Sequence, residues 1–139
     1  MKIGYFVDWL ELYCIERKNI VIEDRLRSLG YRVETMPYTT RIYGKVLQVY
    51  WNNSEPYFTI CRQPLSVKGN GSNGILKEGS CHLKLHNHLL YKSDVGAVAL
   101  KCCRDAGITP QNISRIDLCA DFQYFKNGMH PSTLIKGFA

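Results

Sequence analysis

The residues best placed to do chemistry lie in Ser114-Arg115-Ile116-Asp117-Leu118-Cys119-Ala120-Asp121-Phe122. The stretch reads as one β-strand. Side chains alternate along a strand, so Asp117, Cys119 and Asp121 share one face and Ile116, Leu118, Ala120 and Phe122 the other. The apolar set is expected to face a core. Aspartate is a poor strand residue, so two on one strand point to a site. Their Cα atoms stand about 13 Å apart, too far to chelate one ion together. One of them would need an acid from a neighbouring strand, such as Asp8, to hold a hard cation that polarises a phosphoryl oxygen. The competing reading pairs both acids with Arg or Lys at a sheet edge.

Two other groups invite chemistry. His86 and His88, on a strand expected to run from Cys81 to Tyr91, would present two imidazoles on one face about 7 Å apart. Asn87 stands between them where rolling-circle nickases of the histidine-hydrophobe-histidine class carry a bulky residue, and Lys84 shares the row, so a plain polar face is the favoured reading. Arg41, Tyr43, Lys45, Tyr50 and Trp51 interleave cations with aromatics, a pattern that suits single-stranded nucleic acid. Arg41, Tyr43 and Lys45 share parity and could form one exposed face, although core aromatic packing explains the same pattern.

The elements that must position these residues follow from periodicity. Gly4 to Cys14 reads as a first strand, with Tyr5, Val7, Trp9, Glu11 and Tyr13 on one face. A short helix is expected over Ile22–Gly30, with Gly30 as its stop. Tyr31–Asn52 reads as a strand pair broken near Pro37, with a turn or bulge at Gly44-Lys45. Residues 52–56 form a turn before a strand at Tyr57–Arg62. Gly69, Gly71 and Gly74 match G-x-G-x-x-G, but no helix follows, so a hairpin loop is expected. Ser93 is expected to cap a helix over about 94–106, ended by Gly107. Asn127-Gly128 reads as a turn and Pro131 as the start of a helix. The order predicts an α+β fold: a mostly antiparallel sheet with one long helix and one or two short helices packed on it.

The 139 residues fit a single domain, 1–139, and 45% hydrophobic against 22% charged residues is enough to build a core. A net charge of +6 suits a phosphate-rich partner. No apolar run approaches the ~18 residues needed to span a bilayer, and the N-terminus lacks a signal-peptide core, so a cytoplasmic protein without a membrane partner is expected. The six cysteines form no C-x-x-C pair and read as reduced thiols.

Four stretches in this order carry a resemblance: Asp8-Trp9-Leu10, Pro37-Tyr38-Thr39-Thr40-Arg41, the run from Cys81 to Tyr91, and the acidic strand from Ser114 to Phe122. Together they resemble the N-terminal part of the replication initiation factor family, most closely its Bacteroides-type members. The resemblance implies a rolling-circle initiator for plasmids and phages. It would nick and rejoin DNA through a tyrosine, with Mg²⁺ or Mn²⁺ held by acids. It implies Asp117 and Asp121 at the metal centre, and Arg41, Tyr43, Lys84 and Arg115 as DNA contacts. The implied partners are origin DNA, single-stranded or cruciform, and host replication proteins. Tyr124 falls on the core-facing parity, so the nucleophile is expected downstream and this stretch is expected to be inactive alone. The alternatives are a non-catalytic DNA-binding module and a protein-interaction α+β domain.

Overall fold

The computed structural model describes the backbone of residues 3–52, 54–65, 76–91 and 94–122, and their side chains except in 3–6 and 119–122. The expected glycine loop at 69–74, Ser93, Tyr124, the Asn127-Gly128 turn and the helix start at Pro131 lie outside the described residues.

Among the described residues six strands form one antiparallel sheet in the order β2-β3-β4-β5-β1-β6. They are β1 (Ile3–Glu16), β2 (Arg32–Thr35), β3 (Tyr43–Tyr50), β4 (Pro56–Pro64), β5 (Ser80–Leu85) and β6 (Ile108–Phe122). The described helices, α1 (Ile22–Ser28), α2 (Asn87–Leu90) and α3 (Val95–Ala106), feed one buried cluster on one side of the sheet. The architecture is the expected α+β arrangement.

Period-two alternation builds two kinds of row across the sheet. An apolar row runs Val33–Val49–Phe58–Leu85–Leu10–Ile116, directly opposed strand by strand. A polar row on the other face runs Glu34–Gln48–Thr59–Lys84–Glu11–Arg115. Helices α1, α2 and α3 cover the apolar rows with Ile22, Leu26, Leu89, Leu90, Ala99, Cys102, Cys103 and Ala106. Among the described residues no helix covers the polar face.

The structure departs from the sequence expectations at five places. The strand predicted over Cys81–Tyr91 stops at Leu85 and becomes the helical turn α2. Leu89 and Leu90 are adjacent and both buried, which a strand cannot achieve and a helical turn can. In β1 the register steps from Val7↔Leu118 to Trp9↔Asp117, leaving Asp8 as a bulge. The bulge reverses the parity: Val7 packs on the core, while Trp9 turns to the open face. Gly44-Lys45 lies inside β3 and does not turn it; the strands break around Pro37, as expected, and Thr40 Oγ1 accepts the Tyr43 N–H at 2.8 Å as β3 begins. The cap of α3 is Asp94, whose Oδ1 accepts the Ala97 N–H at 3.0 Å. At its other end Gly107 adopts φ +78° and ends the helix as expected.

The expected core face of the acidic strand is the largest departure. Ile116 and Leu118 are 47% and 71% exposed. Among the described residues β6 is the last strand of the sheet, so residues with core parity stand at its rim with no described helix above them.

Candidate nucleic-acid interface

Trp9 anchors a cationic cluster on the open face, toward the β6 end of the sheet. It stands on β1 between β5 and β6, and a cation approaches its ring from each neighbour. Lys84 Nζ lies 3.7 Å from the ring centroid and the Arg115 guanidinium carbon 4.1 Å. Each such contact contributes about 0.5–1 kcal/mol at an exposed site. Because both lie this close to one ring centroid, the two cations stand within about 8 Å of each other across β1.

Acids fix this trio from below and beside. Glu11 Oε2 accepts the Trp9 indole N–H at 2.6 Å, and Glu11 Oε1 meets His82 Nε2 at 2.6 Å. Burial alone would raise the Glu11 pKa, but the hydrogen bonds from Trp9 and His82 and the charges of His82 and Lys84 hold it below the usual carboxylate value. Arg115 donates to both oxygens of Asp117, at 2.9 Å and 3.4 Å.

A cleft of about 320 Å³ opens beside the trio, lined by Trp9, Glu55, Pro56, Lys84, His86, Asn87 and His88. His86 Nε2 meets Thr59 Oγ1 at 2.9 Å. Burial, together with the nearby Lys84 and His88, lowers the His86 pKa. The neutral ring is therefore favoured, and no imidazole pair faces one way as a strand would have arranged it. His88 instead packs on the Tyr57 ring at 5.0 Å and lies 3.7 Å from Glu55.

The predicted site residues fall into two groups. Lys84, Arg115 and Asp117 come together around Trp9. Arg41, Tyr43 and Lys45 do not share an exposed face: Arg41 is exposed on the β2–β3 connection, Tyr43 is only 6% exposed, and Lys45 reaches Glu23 at 2.7 Å on the helical side. Asp8 is exposed and accepts from Tyr91 Oη at 3.4 Å. Asp121 pairs through its backbone with Gly4, and its side chain lies outside the described residues.

A divalent ion finds no ready cage around Asp117. Both of its oxygens are taken by Arg115, and the neighbouring acid, Glu11, is taken by Trp9 and His82. Lys84 and Arg115 would also repel a cation there. Among the described residues no group of three His, Cys, Asp or Glu side chains is placed to hold a metal. The described residues therefore do not fit the implied Mg²⁺ or Mn²⁺.

Trp9 is the residue that sequence reasoning missed. Its open-face parity was readable, but its position between Lys84 and Arg115 depends on the strand order β5-β1-β6. The described thiols are free and largely buried. Burial holds the Cys102 thiol up at about 12, as expected of inert reduced cysteines. No described helix is long and apolar enough to cross a membrane. No family model matches this chain, and no curated protein or solved structure matches it.

Proposed function

We propose that this chain binds single-stranded DNA on its open sheet face, as the N-terminal part of a rolling-circle replication initiator. The observation that carries the reading is the cation-tryptophan-cation stack of Lys84, Trp9 and Arg115. Trp9 holds two cations in place on an exposed face, where they can neutralise successive phosphates of one strand. The net charge of +6 agrees with such a partner. The initiator role comes from the resemblance of the four sequence stretches, with tyrosine chemistry assigned to residues beyond them.

The ion pair between Arg115 and Asp117 favours a second reading, a DNA-binding module without chemistry of its own. On that reading Asp117 orients Arg115. Mg²⁺ or Mn²⁺ belongs to the first reading alone and rests there on Asp121.

Fluorescence anisotropy with a labelled single-stranded oligonucleotide, read over a salt series with and without Mn²⁺, tests both. Binding that weakens steeply with salt is expected. No binding at low salt would sink DNA recognition by this face. Mn²⁺-enhanced binding that is lost in Asp121→Ala would support the metal role, and an Mn²⁺ titration unchanged in that variant would leave the module reading.

A further inference from the structure

The two ends of the sheet are built differently. β2 is four residues long and carries the Arg32–Glu34 ion pair at 3.2 Å, features that blunt an edge against pairing. β6 is fifteen residues long, with Ile113, Ile116 and Leu118 exposed. Bulges at Gln111 and Ser114 interrupt its first half, where the register steps from Cys14↔Pro110 to Tyr13↔Asn112 and from Leu12↔Ile113 to Glu11↔Arg115. From Arg115 to Phe122 β6 itself is regular. Among the described residues no strand pairs with its outer edge.

We propose that this edge is the seam of a symmetric dimer, in which two copies pair their β6 strands antiparallel about a two-fold axis through Ile116. The charges on β6 complement themselves in that register. Arg115 lies opposite Asp117 of the partner subunit, and Asp117 opposite Arg115 of the partner subunit. Shifting the register by two residues sets Arg115 against Arg115 or Asp117 against Asp117, which is destabilising. Shifting it by one turns every side chain to the wrong face. The charge pattern therefore selects one register.

The apolar rows select the same one. The row from Val33 to Leu10 is buried at every strand until it ends in Ile116, 47% exposed. Pairing Ile116 with Ile116 of the partner subunit continues that row across the axis. Leu118 of the partner subunit then lies opposite Ser114. It sits beside an apolar cleft of about 260 Å³ that Leu10, Leu12, Leu100 and Ile113 help to line. The result is a continuous sheet with both helical layers on one side and both Lys84–Trp9–Arg115 stacks on the other.

Sedimentation equilibrium over roughly 1–100 µM chain, the range in which a modest interface dissociates, reads the mass directly. The expected species at the top of the range has twice the 16.0 kDa chain mass. Arg115→Asp and Asp117→Arg should each be monomeric alone, because each sets like charges across the seam. Mixed in equal amounts they should form a dimer, since all four cross-pairs become opposite charges. Far-UV circular dichroism confirms that each variant is folded. Ile116→Lys gives an independent break of the seam. Hydrogen exchange of the native chain gives a readout without substitution: the amides of residues 115–118 that point away from β1 should gain protection as concentration rises. A monomer at every concentration would overturn the proposal, whether the edge is free or covered by the chain's own residues. So would a dimer indifferent to both charge reversals, or two folded variants that fail to pair when mixed.

Discussion

The open face works through three side chains whose roles separate cleanly. Lys84 and Arg115 supply charge, and Trp9 supplies position. Two cations sit over the indole, one from the strand on each side, so a base stacking on Trp9 must compete with them. Binding should therefore depend on phosphate more than on base identity. Removing either cation should reduce the slope of log affinity against log salt by about 0.7, the single-strand value per phosphate contact. Lys84→Ala and Arg115→Ala, measured by anisotropy over the same salt series, check this. Trp9→Ala should weaken binding while leaving the slope closer to that of the parent, because both charges remain but lose their platform. Arg115→Ala also frees Asp117, whose carboxylate would then repel the strand, so it should cost more affinity than Lys84→Ala at equal salt.

At the scale of elements, stability concentrates where loops are clamped. Arg62, near the end of β4, donates to Glu16 at 2.7 Å and to Glu23 at 3.2 Å, tying the end of β1 and α1 to β4. All three side chains are largely buried, at 18%, 13% and 14% exposure. Arg62→Ala would leave Glu23 with Lys45 and strip Glu16 of its Arg62 partner, and should cost about 2–3 kcal/mol, somewhat below the value for a fully buried pair. Gly107 closes α3 with φ +78°, and a Cβ there would meet Ile20 Cγ2 at 2.7 Å. Gly107→Ala combines that clash with a left-handed backbone and should cost about 2 kcal/mol. Urea unfolding of both variants measures these losses. The same elements show how far sequence reasoning reaches. The helix ending at Gly107 was legible because capping and periodicity agree locally. The strand through His86 and His88 was not, because His82, Lys84, His86 and His88 alternate well until the buried Leu89-Leu90 pair breaks the pattern. The bulge at Asp8 had no local signal; it exists only in the pairing with β6.

For the whole molecule, the sheet order decides what the sequence could and could not reveal. Lys84 and Arg115 are readable as candidates, but nothing short of β5-β1-β6 brings them onto one tryptophan. The acidic strand reads as a core strand because Ile116 and Leu118 alternate correctly; its edge position leaves them exposed. The charges distributed over this fold also set its response to pH. Glu11, Glu23 and Asp105 all sit below their ordinary values of 4.5, 4.5 and 3.8. Burial opposes this in each, but hydrogen bonds and cations outweigh it: Trp9, His82 and Lys84 for Glu11, Lys45 and Arg62 for Glu23, and Lys101 and Tyr31 for Asp105. A lowered carboxylate stabilises the fold above its unfolded pKa, and the gain is lost as pH falls through the folded one. His86 also sits below its ordinary 6.5, chiefly by burial and then by Lys84 and His88. Its unfolded form binds a proton first, so stability declines as pH falls through 6.5 towards the folded value. Both effects have the same sign, and they should appear as two steps. The urea midpoint should drop slightly between about pH 7 and pH 5, and steeply below about pH 4.5. His86→Gln should remove the first step and leave the second. A midpoint flat down to about pH 5 in the parent would show that His86 does not couple folding to pH, and a first step that survives in His86→Gln would show that another group carries it.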